Sequence, residues 1–135
     1  MLNSYDEYAV FLATLQERFD SIQNIKFKAY RTSATRGSCS GTIIFSNEVT
    51  LRFDEQINFK NGQLVDYGYV VYQASEKLYY YDSQPHPNDP SLASTFPHHK
   101  HIPPDIKHHR IPAPGISFER SNLEFVIREI EATLL

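Results

Sequence analysis

The run VTLRFDEQINFKNGQLVDYGYVVYQASEKLYYYD, Val49 to Asp82, decides the fold of this chain. Val49, Leu51 and Phe53 alternate with Thr50, Arg52 and Asp54, and further on Val65, Tyr67, Tyr69 and Val71 share one face. Successive side chains of a strand point to opposite faces, so a period of two predicts half-buried strands. Asn61-Gly62 lies between them, a pair that tolerates the positive φ of a tight hairpin turn. Ala74-Ser75-Glu76 then turns the chain into a short strand, Lys77 to Asp82. Toward the N-terminus, Ile25, Phe27 and Ala29 alternate with Lys26, Lys28 and Tyr30, and Thr42 to Phe45 makes a strand after a Gly/Ser-rich turn. Five consecutive strands with short connections predict an antiparallel meander.

The flanks carry the helical period instead. Ser4-x-x-Glu7 has the form of a capping box, and Tyr8, Leu12, Leu15 and Phe19 recur on one helical face. Ser121-x-x-Glu124 has the same form and precedes the stripe Leu123, Ile127, Ile130 and Leu134. The expected fold is α+β: a five-stranded antiparallel meander sheet, terminal helices packed on one of its faces, and a long Pro/His loop. It is expected as a single domain over residues 1–135, with a helix in 1–22, the sheet in 24–82, the loop in 83–116 and a helix in 121–134. Ile25, Phe27, Leu51, Phe53, Leu123 and Ile127 are its expected core.

A chain of 135 residues buries roughly two-thirds of its surface without disulfides or metals. The single cysteine, Cys39, can make no internal disulfide, which fits a reducing cytoplasm. The N-terminus lacks the basic start of a signal peptide, and no apolar run approaches the roughly eighteen residues of a membrane span, so no membrane role is expected. The net charge of −3 is mild, but its distribution is uneven. No acid falls between Asp20 and Glu48, whereas Lys26, Lys28, Arg31 and Arg36 are all basic. That segment is either a solvated strand face or a track for an anionic polymer.

The chemistry is concentrated elsewhere. All six histidines and all eight prolines lie between Pro85 and Pro114. Histidine changes charge near neutral pH and is a frequent metal ligand, while proline suppresses regular structure. Phe96, Ile102, Ile106 and Ile111 offer apolar anchors, so the loop is expected to be ordered. Its densest part is Phe96-Pro97-His98-His99-Lys100-His101; Asp82 and His86 precede it, and His108, His109 and Arg110 follow. Three readings stand open. One is metal-independent RNA cleavage, with Asp82, His86, His98, His99 and His101 as the catalytic set. Two imidazoles would act as base and acid, and Lys100 or Arg110 would steady the phosphate. Lys26, Lys28, Arg31, Tyr81, Lys100 and Arg110 are then the expected RNA-binding residues, and no cofactor is needed. The second is a metal site of His86, His98 and His101, with Asp82 an alternative to His86, although no Cys pair or HExxH-type spacing supports it. The third is a rigid, non-enzymatic loop that docks a partner protein.

The run YDSQPH followed by FPHHKH resembles the TumE-like small toxin family of prokaryotic toxin–antitoxin systems. The matching positions are Tyr81, Asp82, Pro85, His86, Phe96, Pro97, His98, His99, Lys100 and His101. Two positions depart from the pattern: Pro87 stands where members often carry a second His, and VDYGYVVYQ lacks a Trp. The resemblance implies a growth-inhibiting toxin with a cognate DNA-binding antitoxin as its partner. Joined to the histidine cluster, it points to an endoribonuclease whose target is RNA, and it leaves monomer or homodimer open.

Overall fold

The computed structural model describes residues 2–135. Helix α1 (Tyr5–Arg18) leads into five strands: β1 (Asn24–Arg31), β2 (Arg36–Ile44), β3 (Val49–Asn58), β4 (Gln63–Gln73) and β5 (Glu76–Asp82). A 3-10 turn (Pro90–Thr95), two short strands, β6 (His99–His101) and β7 (Arg110–Pro112), and helix α2 (Leu123–Thr133) complete the chain. All seven strands form one antiparallel sheet whose spatial order is the chain order. The expected five-stranded sheet is therefore extended by two strands that the Pro/His loop supplies. Strands of three residues are too short to show a period. Prolines around them also suggest irregular backbone, although a sheet tolerates proline on an edge strand such as β7.

The two helices pack on one face of the sheet. Tyr8, Phe11, Leu12 and Leu15 of α1 and Leu123, Val126, Ile127 and Ile130 of α2 join Ile43, Leu51, Phe53, Tyr69 and Val71 in one core. Ser4 caps α1 as its spacing predicts, its Oγ accepting from the Glu7 amide at 3.1 Å. At the edge, β1 is less covered than expected: Ile25 is half-buried and Phe27 is 36% exposed, since only one neighbouring strand flanks it. Strand β2 begins six residues before its apolar Thr42–Phe45 run, because Gly37 to Gly41 are small residues with no hydrophobic alternation to reveal them. Gly41 is required by packing, as a Cβ there would stand 2.8 Å from Cζ of Phe53.

A second correction concerns Ser121. Helix α2 starts at Leu123 with Asn122 as its cap residue, whose side chain makes no capping bond, and the Leu123 amide donates to Ser121 Oγ at 3.3 Å. The Ser121 hydroxyl is taken by Glu55, a carboxylate that lies on the apolar face of β3 between Phe53 and Ile57 and is wholly buried. Glu55 also accepts from the hydroxyls of Tyr8 (2.8 Å) and Tyr69 (2.5 Å) and from the Asn122 amide (3.3 Å). One side chain thus ties α1, β3, β4 and the start of α2. Burial raises its pKa, although these donors pull in the opposite direction.

Candidate functional site

Two rows of residues in cross-strand register run over the sheet face opposite the helices. One is Lys28, Ser40, Asp54, Gly68, Asp82 and His99; the other is Lys26, Thr42, Arg52, Val70, Tyr80, His101 and Arg110. Residues paired in register share a face, so the basic strand β1 and the histidine strand β6 present side chains to the same surface. At the β1 end, Lys26, Lys28, Arg52 and Asp54 line an open groove of about 650 Å³.

At the other end, Asp82 closes β5 and meets both histidines of β6. His99 Nε2 lies 2.6 Å from Asp82 Oδ1, His101 Nε2 lies 3.5 Å from Oδ2, and the two Nε2 atoms are 3.0 Å apart. Each ring is fixed from behind. His99 Nδ1 is 3.0 Å from the Pro97 carbonyl and His101 Nδ1 is 2.8 Å from the Ile106 carbonyl. A carbonyl only accepts, so both Nδ1 atoms carry hydrogen, and in the neutral rings both Nε2 lone pairs point inward. Both histidines are buried, while Asp82 keeps 30% of its side chain open to a cleft it shares with Asp54, Asp66 and Gly68. Gly68 leaves the Asp54 carboxylate its place here: a Cβ would stand 2.6 Å from Oδ1, and the carboxylate would have to shift.

The electrostatics divide the pair. Burial lowers the proton affinity of both rings, but in His99 the Asp82 carboxylate and the Pro97 carbonyl outweigh it and raise the pKa. In His101 burial prevails and the pKa is lowered. Burial would raise Asp82, yet the hydrogen bond and charge of His99 hold it below the usual carboxylate range. Burial and the neighbouring Asp66 raise Asp54. Such a corner can share a proton among its three groups, with His99 as acid and His101 as base, or it can close on a cation.

Around it, Tyr80 stacks on His101 with ring centroids 4.0 Å apart, and His86 stands edge-on to His99 at 4.8 Å. Arg110 Nη1 donates to His86 Nε2 at 3.3 Å. The other expected residues lie elsewhere. His98 faces the helix side, where its Nδ1 is 2.6 Å from the Tyr67 hydroxyl and its ring packs on Phe118. It therefore cannot join His101 on one substrate, since adjacent strand residues point to opposite faces. Lys100 shares that side; its Nζ is 3.2 Å from Glu129 Oε2 and 4.2 Å above the Tyr79 ring. Tyr81 is buried and donates to the same Glu129 carboxylate. Arg31 lies over the Tyr5 ring of α1. His108 and His109 are exposed and bond Asp105 and the Pro103 carbonyl within their own turn.

Tyr80, Arg52, Asp54 and Gly68 were not singled out by their sequence. Tyr80 was within reach, because it lies two residues before Asp82 and so shares its face. The other three needed the register across β3, β4 and β5. Cys39, which has no partner cysteine, is buried, and burial pushes its thiol up to about 12.

No helix among the described residues is long and apolar enough to cross a membrane. Neither the curated proteins nor the solved structures give a match to the chain. A family model described as Toxin TumE, however, matches residues 11–134, a span that includes every strand of the sheet, the Asp82–His99–His101 corner and α2, and the chain accordingly belongs to this toxin family.

Proposed function

We propose that this toxin acts by cleaving RNA at the Asp82–His99–His101 corner. The observation that carries the reading is the continuity of the two cross-strand rows, which join the Lys26/Lys28/Arg52 groove to that corner on one face. Five strand spacings of about 4.8 Å separate β1 from β6, so the rows span on the order of 24 Å, room for several nucleotides of an unpaired strand. Lys26, Lys28 and Arg52 would hold backbone phosphates along the groove. Arg110 would neutralise charge at the scissile phosphate, and the corner would activate the attacking hydroxyl. Tyr80 would support His101 by stacking. A toxin of this family implies an antitoxin; the partner we propose is a DNA-binding protein, and the compartment the cytoplasm.

Growth arrest on induction, together with cleavage of RNA by the purified chain, tests the reading. Asp82→Asn and His101→Gln should each relieve the arrest and lower the cleavage rate by a factor on the order of 10² or more, with circular dichroism unchanged. Full toxicity in both folded variants would sink the enzymatic reading and favour a loop that docks a partner protein.

A further inference from the structure

The geometry points to a binding site for one divalent transition-metal ion, held by His99 Nε2, His101 Nε2 and a carboxylate oxygen of Asp82. These ligand atoms all lie within 4.8 Å of one another. This departs both from the cofactor-free reading of the sequence and from the His86/His98/His101 alternative. His98 is on the other face of the sheet, and Arg110 already occupies His86 Nε2.

Three features favour a metal over a shared proton. The first is the tautomer. Both Nδ1 atoms are committed to backbone carbonyls, which is the outer arrangement that orients histidine ligands and leaves Nε2 bare for a metal. The second is spacing. Two nitrogens each about 2.1 Å from one ion and about 90° apart stand about 3 Å from each other, and the Nε2 atoms are 3.0 Å apart. A single proton bridges two acceptors, whereas an ion satisfies all three groups together. The third is access. The histidines are buried, but Asp82 is partly open to the cleft that also holds Asp54 and Asp66, so an ion on its carboxylate keeps coordination positions for water or a phosphate oxygen. The like-charged Asp54 and Asp66 nearby add negative potential with no side chain between Asp54 and Asp82, because Gly68 stands there. Imidazole with one carboxylate suits borderline ions of the manganese-to-zinc series more than calcium or magnesium.

The site deepens the proposed cleavage, since a bound dication is a Lewis acid beside the scissile phosphate. Metal binding itself rests on the geometry alone. The test is titration of the full-length, chelator-stripped chain with Co²⁺. One equivalent should bind with new visible absorption bands, and proton NMR in water should show two strongly shifted, exchangeable ring N–H signals from the two Nδ1–H groups. Asp82→Asn and His101→Gln should each weaken binding at least tenfold, while a His108→Gln/His109→Gln variant should bind as the parent does. No tight equivalent, shifted N–H signals absent from the Co²⁺-bound parent chain, or binding lost only with His108 and His109 would overturn the site. One-equivalent binding with no RNA cleavage under any added metal would uphold the site and sink the cleavage reading instead.

Discussion

Replacing Glu55 should be the costliest single change in the core, and the size of the effect follows from its partners. Glu55→Ala removes the acceptor of three hydroxyls, from Tyr8, Tyr69 and Ser121, and of the Asn122 amide, all inside a wholly buried pocket. Each buried donor left without a partner costs about 1–3 kcal/mol. Two effects reduce the total. The Asn122 amide keeps the Tyr69 oxygen as its acceptor, and the desolvation of a buried carboxylate disappears with the side chain. A net loss of about 3–5 kcal/mol is expected, against a total stability of about 5–15 kcal/mol. For a chain of this size that lowers Tm by roughly 10–25 °C. Glu55→Gln keeps the volume and one acceptor oxygen, and hydroxyls can turn to accept from its amide, so about 1–2 kcal/mol is expected. The pH dependence separates charge from shape. Because the folded-state pKa is raised, the native chain holds a proton that the unfolded chain has released. This contribution is complete below the ordinary glutamate range and is lost as pH rises through the folded-state pKa. Urea unfolding followed across pH should therefore show that decline in the parent and a flatter profile in Glu55→Gln. A loss under about 1 kcal/mol in Glu55→Ala, or the same pH slope in Glu55→Gln, would refute the account.

Two further outcomes are expected. Lys26→Glu together with Lys28→Glu should weaken RNA binding across all sequences and reduce its salt dependence by about one to two phosphate contacts, measured by fluorescence anisotropy at several salt concentrations; an unchanged slope would assign these lysines to plain solvation. Gly68→Ala should push the Asp54 carboxylate aside, because the new Cβ would stand 2.6 Å from Oδ1, and should lower Co²⁺ affinity while shifting Tm by only a few degrees; equal affinity would remove Asp54 from any influence on the corner.

The meander and its flanking helices were legible because their periods are long and clean. Val49 to Asp82 displays three strands' worth of alternation and turn chemistry in one run, and α1 announces itself by a Ser4 cap that is formed as spelled. The histidine strands were not legible, since β6 and β7 have three residues each and become strands only through pairing, β6 with β5 and β7 with β6. Sequence proximity grouped His98, Lys100 and Tyr81 with the corner, yet the alternation of a strand sends all three to the helix face. Glu55 was hidden for the opposite reason. It continues an alternation of apolar residues, Val49, Leu51 and Phe53, as a polar member that only its distant donors explain. Ser121 has the spelling of a helix cap, but the helix starts one residue later, at Asn122, and the Ser121 hydroxyl donates to a buried carboxylate 66 residues away while its oxygen accepts from the Leu123 amide.

The identity of spatial and chain order in the sheet bears on how the chain folds. Every strand pairs with its sequence neighbour, and the connections are short except for the Pro/His stretch between β5 and β6, so the first four pairings can close without waiting for distant chain. Glu55 gathers ties of a different kind, since Tyr8 comes from 47 residues before and Ser121 from 66 residues after. During synthesis from the N-terminus, the first five strands can zip in succession while that carboxylate still lacks its final donors. The Asp82–His99–His101 corner completes only with His101, and the core only with α2, so both are finished after the five-stranded meander has been made.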